Sequence, residues 1–251
     1  MSEYTQMSKE QYAEMMQEKR KEMSQKADRE TLIVTGSQEE FLSWLRLHSR
    51  LHYSVFNSLL VHNQKKDATE LLDVDHWNAL GTYVKEGENA IQILLPDGQY
   101  RRADGRSGFR YKVHSLFDVS QTNGVARQEE TDPDLVREAL VGDVKEIYDG
   151  KNLSACIDLY CNKNGKDLDP FCQDCAAYML KQHYGIMPNT LESDAATYFK
   201  GMLDPVQIRS ILKGIDQLYS STVKRISREI YKKKKREDRE HEGRTVSDRG
   251  R

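Results

Sequence analysis

Between Phe41 and Phe117 the apolar residues change period, and that change restricts the chain to folds that set helix against sheet. Phe41, Trp44, Leu45, Leu51, Val55, Phe56, Leu59 and Leu60 recur at three- and four-residue steps, which predicts one helix from about 38 to 63. Ser37 and Glu40 have the spacing of a capping box at its start. From Gly108 the period falls to two. Phe109, Tyr111, Val113, Ser115 and Phe117 fall on one face of the predicted strand, with Arg110, Lys112, His114 and Leu116 on the other. Between the two lie a short helix over 73–81, opened by Asp75 and closed by Gly81, and a strand AIQILL ended by Pro96, with Asp97-Gly98 as a hairpin turn. The expected class is α+β: an N-terminal helix packed on a small antiparallel sheet, followed by a mainly α-helical C-terminal domain.

Around this core the composition marks four segments. Residues 1–36 are rich in Met, Glu and Lys and read as a loosely helical, flexible and partly disordered arm; TLIVT at 31–35 is too short to assign. Residues 37–127 form the α+β domain. Over 128–231 the expected helices begin at Asp132-Pro133, with a stripe of Leu135, Val136, Ala139, Leu140, Val144 and Ile147, and continue at about 170–184 and 192–201. A long amphipathic helix then opens at Asp204-Pro205 and carries Ile208, Ile211, Leu212, Ile215, Leu218, Tyr219, Val223, Ile226 and Ile230. The remainder, 232–251, has little apolar content and is expected to be a disordered basic tail.

A net charge of -2 conceals segregation. Residues 41–127 carry 11 basic and 9 acidic groups, 128–223 carry 9 and 16, and 224–251 carry 12 and 6. Basic charge at two places on one chain suits a polyanion, and equally suits a solvated tail. No apolar run approaches the length of a membrane span and the first 30 residues do not resemble a signal peptide, so the expected compartment is the cytoplasm, without membrane contact. The cysteines, Cys156, Cys161, Cys172 and Cys175, are spaced C-x4-C-x10-C-x2-C. Structural zinc is the lesser reading and buried or free thiols the favoured one, because Cys172 and Cys175 sit in a helix pattern and no Gly-containing knuckle brings close pairs together. His48 and His52 have the four-residue spacing of HExxH peptidases, but Ser49 stands where the glutamate base would be. No phosphate-binding Gly loop and no nucleophile elbow is present.

The densest basic patch of the core is Arg101, Arg102, Arg106, Arg110 and Lys112, interleaved with Tyr100 and Tyr111. Cations that track phosphates and rings that stack on bases are the requirements for holding a single strand. A solvated strand face with its aromatics in the core meets the same pattern.

A wider set of residues carries a family resemblance. Tyr53-Ser54-x-x-Asn57-x-x-Leu60, Asp67-Ala68-Thr69, Trp77-x-x-Leu80-Gly81, Val84-Lys85-x-Gly87-Glu88-x-x-Ile91-x-Ile93-x-x-Pro96 and Phe117-Asp118-Val119-Ser120-Gln121-Thr122-x-Gly124 resemble, in order and spacing, the N-terminal domain of ArdC-type antirestriction proteins. The resemblance covers about a third of the chain. It implies a single-stranded-DNA-binding protein of a conjugative plasmid or integrative element, with antirestriction or DNA-transfer accessory roles and other proteins of the element as further partners. Tyr53, Asn57, Trp77 and Lys85 then join Tyr100, Arg101, Arg102, Arg106, Arg110, Tyr111 and Lys112 as candidate DNA contacts. A structural role for Tyr53 and Asn57 is the alternative: on a helix they could fix it to the sheet, Asn57 satisfying buried backbone groups. Thr82 and Asn89 stand where relatives usually carry Arg and often Lys, which removes positive charge from the turn. The family's second domain is metallopeptidase-like; here HExxH is absent and the segment from Phe171 to Phe199 resembles only the part after the acidic ligand, with Asp174 near that position. The chain is therefore expected to be non-enzymatic, with a remnant second domain. The rival expectation is a protein-interaction module that docks through the 204–231 helix.

Overall fold

Ser8 opens the first helix with a capping box: its side chain accepts the Gln11 N–H while the Gln11 side chain accepts the Ser8 N–H. A computed structural model describes residues 8–101, 104–126, 131–141, 149–186 and 190–248, the side chains of Lys9 and of 237–248 excepted. Two compact units result, residues 1–127 with 195–209 and residues 128–194 with 210–251. The class is α+β.

In the first unit the segment expected to be a loosely helical, flexible arm is a 27-residue helix, α1 (Lys9–Thr35), packed against its neighbours. Met23, Ala27 and Val34 are buried on it, and the same stripe carries the buried polar residues Glu30 and Thr31. Those polar groups are satisfied internally, which composition alone reads as solvation. Thr31 Oγ1 donates to the Ala27 carbonyl at 2.7 Å, Asn63 Nδ2 donates to Glu30 Oε2 at 2.8 Å, and His62 Nδ1 lies 2.6 Å from Glu30 Oε1. His62 Nε2 lies 3.1 Å from Ser43 Oγ, so one buried imidazole ties three helices. Burial pushes the Glu30 carboxyl up, but hydrogen bonds from His62 and Asn63 pull it further down, and it stays below the usual range.

The single helix expected over 38–63 is two, α2 (Gln38–Leu51) and α3 (Val55–Gln64). His52 adopts φ 55, left-handed, and Ser54 starts a new helix by accepting the Asn57 N–H. The break leaves the apolar stripe intact, so periodicity could not show it. Phe41, Trp44 and Leu45 are fully buried, the Trp44 indole donating to Ser58 Oγ at 3.1 Å. Each such side chain contributes roughly 1.5–3 kcal/mol through burial. After α3 come β1 (Leu71–Leu72) and α4 (Val74–Ala79), the latter capped by Asp73, two residues before the expected start.

Strands β2 (Ile91–Arg101) and β3 (Ser107–Asp118) form a long antiparallel hairpin, and β1 pairs with the end of β3, giving the order β1-β3-β2. β2 does not end at Pro96. The backbone groups of Leu94 point away from β3 and bond to Asn57, so Pro96, two residues on, directs its missing N–H outward, where a strand tolerates it. Asp97-Gly98 is the site of a register shift instead of the hairpin turn, which falls farther on, between Arg101 and Ser107.

Helix α3 closes the outer edge of β2. Asn57 Nδ2 donates to the Leu94 carbonyl at 2.8 Å and its Oδ1 accepts the Leu94 N–H at 3.0 Å; Gln64 makes the same pair with Gln92, at 2.9 and 2.8 Å. Two helical turns separate the amides, about 10.5 Å, against about 7 Å between Gln92 and Leu94. The longer Gln side chain covers the difference. With its edge capped, the hairpin base holds apolar groups on both faces: Ile91, Ile93 and Leu116 join Leu47, Val61, Ala68 and Leu71 on one, while Leu94 and Val113 meet Met23, Ala27, Leu60 and Phe56 on the other. The short helix α8 (Ala195–Tyr198) also belongs to this unit. The Ala195 N–H donates to Gln38 Oε1 at 2.7 Å and Phe199 packs on Phe41 at 5.8 Å.

The second unit contains α5 (Pro133–Val141), α6 (Leu153–Asn164), α7 (Pro170–His183) and, from residue 210, most of α9 (Pro205–Asp248). Val144 and Ile147 of the predicted stripe lie outside the described residues. α6 went unassigned in the sequence, although Asn152 caps it and Leu153, Cys156, Ile157, Tyr160 and Cys161 are buried at helical spacing. The α9 stripe is as expected, with Leu212, Ile215, Leu218, Tyr219 and Ile226 buried. The segment expected to be a disordered tail continues this helix to Asp248. Its residues are good helix formers, and Lys233, Lys234 and Arg236 precede Glu237, Asp238 and Glu240 by four positions, the spacing of opposite charges that favours helix. No helix among the described residues is long and apolar enough to cross a membrane.

Candidate nucleic-acid interface

The motif residues converge on Asp118. Its side chain is fully buried, with Oδ1 accepting the N–H groups of Thr69 at 2.6 Å and Glu70 at 3.1 Å, and Oδ2 accepting that of Ser120 at 3.0 Å. Burial pushes its carboxyl up, yet those hydrogen bonds hold it below the usual range, so it is an anion filling a socket of amides. Gln121 receives the Asp118 N–H at 2.9 Å and donates to Glu88 Oε2 at 2.9 Å and the Asn89 carbonyl at 2.8 Å, which fixes the Gly87-Glu88 turn. Gly87, at φ 85, supplies the left-handed conformation that the turn needs. Trp77 is buried and donates from its indole to the Phe117 carbonyl at 2.9 Å; Lys85 donates from Nζ to the Ser120 carbonyl at 3.0 Å. The separate motifs thus form one hydrogen-bonded frame at the root of the hairpin.

The candidate contacts divide accordingly. Trp77 and Asn57 are buried with their polar groups engaged, and Tyr53 packs against the Leu47 cluster, where burial raises its phenol. Trp77 and Asn57 offer no free surface to a base and belong to the frame, whereas Tyr53 is only partly buried against the core. Lys85 is exposed but tethered to Ser120. Arg102 lies outside the described residues. Tyr100, Arg101, Arg106, Arg110, Tyr111 and Lys112 come together on the distal hairpin.

Beyond Pro96 the hairpin leaves both core clusters and its two faces differ. Arg101 opposite Ser107, Phe109 and Tyr111 share one face; Tyr100 opposite Gly108, Arg110 and Lys112 share the other. Phe109 and Tyr111 are 52% and 46% exposed, too open for the core role that alternation suggested. Phe109, missed as a candidate, shared its face with Tyr111; exposure alone distinguishes it from a core residue. Arg20 of α1 reaches this face, its Nη1 lying 3.5 Å from the Tyr111 carbonyl. On the opposite face Tyr100 lies flat on Gly108, where a Cβ would come within 2.7 Å of the ring. Arg106 is 3.9 Å from Asp104, whereas Arg101, Arg110 and Lys112 have no ion-pair partner among the described residues.

The chain matches no family model and no curated protein. Two solved structures are similar. Both are of the antirestriction protein ArdC from plasmid R388. Its metal-free structure has 13% sequence identity, a TM-score of 0.43, and matches 70% of this chain and 86% of its own. Its Mn(II)-bound structure has 12% identity, a TM-score of 0.42, and matches 69% and 89%.

Among the described residues no three His, Cys, Asp or Glu side chains gather to hold an ion. Asp174 instead accepts the Glu192 N–H at 2.8 Å and is raised by burial, and Asp158 pairs with Lys181 at 2.6 Å. Cys156 and Cys161 on α6 and Cys172 and Cys175 on α7 are buried free thiols. Burial pushes Cys161 up to about 12 and Cys175 well above its ordinary value, which favours the protonated thiol over the thiolate that a metal requires. The His48/His52 pair is also dispersed: His48 is buried, stacked on Trp44 at 5.0 Å, while His52 occupies the left-handed turn after α2.

Proposed function

We propose that this chain is a single-stranded-DNA-binding protein of a mobile genetic element, acting in antirestriction or DNA transfer without catalysing a reaction. The observation that carries the proposal is the distal hairpin: Arg101, Arg110 and Lys112, without an ion-pair partner among the described residues, on the same ribbon as exposed Phe109 and Tyr111, with strands whose base is locked by the Asp118–Gln121 frame. Cations there track phosphates and the rings stack on bases, each stacked base contributing about 1–3 kcal/mol. The place on a mobile element rests on the ordered motif set from Tyr53 to Gly124 and its resemblance to ArdC-type proteins. The non-enzymatic reading rests on the sequence, which contains no HExxH.

Fluorescence anisotropy of labelled single-stranded and duplex oligonucleotides over a salt series tests it. Salt-dependent single-strand binding, weakened by Arg110→Ala and Lys112→Ala, is the expected result. No single-strand binding at low salt would refute it.

A further inference from the structure

The two faces of the distal hairpin are unlike, and a single strand needs only one of them. Phe109 and Tyr111 present rings on one face, bordered by Arg101 and Arg20; Arg110 and Lys112 present cations on the other, with Tyr100 laid flat on the ribbon. Both faces leave the core at the same level, because Leu94 and Val113 root one of them and Ile91, Ile93 and Leu116 the other. About five residues project beyond that level, roughly 17 Å of ribbon, comparable to the width of a duplex. The capped edge and the amide-filled socket under Asp118 hold the root in one orientation.

We propose that the hairpin is a strand-separating pin whose ligand is a forked DNA, a duplex opening into two single strands. This rests on the single-strand reading above and extends it. At the fork one displaced strand stacks on Phe109 and Tyr111, while the phosphates of the other run along Arg110 and Lys112. Each face carries its own rings and cations, Arg101 and Arg20 with Phe109 and Tyr111 on one and Tyr100 with Arg110 and Lys112 on the other, so each strand of a fork has a surface of its own. No covalent step is involved: the pin stabilises bases already unpaired at the fork and opens the first pair by competing with its stacking.

The test uses the full chain with three DNA probes of shared sequence, a single strand, a blunt duplex and a fork, the fork carrying 2-aminopurine at its first paired position. The fork is expected to bind about tenfold more tightly than the single strand, with a rise in 2-aminopurine fluorescence as that base unstacks. The Phe109→Ala, Tyr111→Ala double variant should abolish the fluorescence rise and weaken fork binding more than single-strand binding, so that the two probes bind equally once the stacking contribution is gone. Arg110→Ala with Lys112→Ala should reduce affinity for every probe and flatten its salt dependence. Circular dichroism checks that these exposed exchanges leave the fold intact, and Phe109→Trp should restore the fluorescence rise. Equal affinity for fork and single strand with no fluorescence change overturns the pin and leaves single-strand binding standing. A preference for blunt duplex, or equal loss from the two double variants on every probe, also overturns it. Absence of binding to all three probes overturns the underlying reading as well.

Discussion

Replacing Asn57 by Ala separates a frame residue from a DNA contact. Its amide makes two hydrogen bonds to the Leu94 backbone, at 2.8 and 3.0 Å, in a site where Asn57 is 5% exposed. Removal leaves one N–H and one carbonyl without partners where water has little access. Each of the two buried groups left unsatisfied costs about 1–3 kcal/mol, so the expected destabilisation is about 2–6 kcal/mol. With a urea dependence of about 2 kcal/mol per molar, the midpoint moves down by about 1–3 M. Gln64→Ala is the internal control. It removes the same pair of bonds from Gln92, but these are open to solvent, water replaces them, and the cost should stay under about 1 kcal/mol. Urea denaturation followed by tryptophan fluorescence reads both, since Trp44 and Trp77 lie in this unit. Below its melting range the Asn57→Ala protein should bind single-stranded DNA within about twofold of the parent, because a twofold change is only about 0.4 kcal/mol. Destabilisation below about 0.5 kcal/mol, a Gln64→Ala effect of equal size, or a large affinity loss in folded Asn57→Ala would refute the capping role.

Further expectations concern charge and thiols. Asp118 and Glu30 both have depressed carboxyls, so their contributions are present above the unfolded values of about 3.9 and 4.3 and are lost as pH falls through the folded ones. Asp118→Asn should therefore lower stability at pH 7 by about 2 kcal/mol and flatten the decline below about pH 4, read by denaturation at a series of pH values. Asn89→Lys restores a cation to the exposed turn held by Gln121 and should steepen the salt dependence of single-strand binding by up to about 0.7 in log–log slope. An unchanged slope would place that turn outside the DNA path. The four thiols should resist a disulfide reagent at pH 8 in the native protein and react once urea unfolds it, because all are buried and Cys161 and Cys175 are held protonated; fast native reaction would contradict the packing of α6 on α7.

Local spacing by itself determined the helical character of 38–63, the existence of β3 and α9, the apolar stripe of α9 and the basic, aromatic character of residues 100–112, since each depends on side chains a few positions apart. It could not determine the break at His52, because the stripe runs through it, or the packing of α1, whose buried face includes Glu30 and Thr31. Pro96 stopped β2 on paper and not in the fold, because whether its missing N–H matters depends on which strand edge it faces. Only the tertiary structure decided that Asn57 and Trp77 serve the frame while Phe109 reaches solvent, because their roles follow from partners 37, 40 and more residues away. The rings and cations were legible as residues; their division between two faces of one projecting hairpin followed from register and from where the core ends.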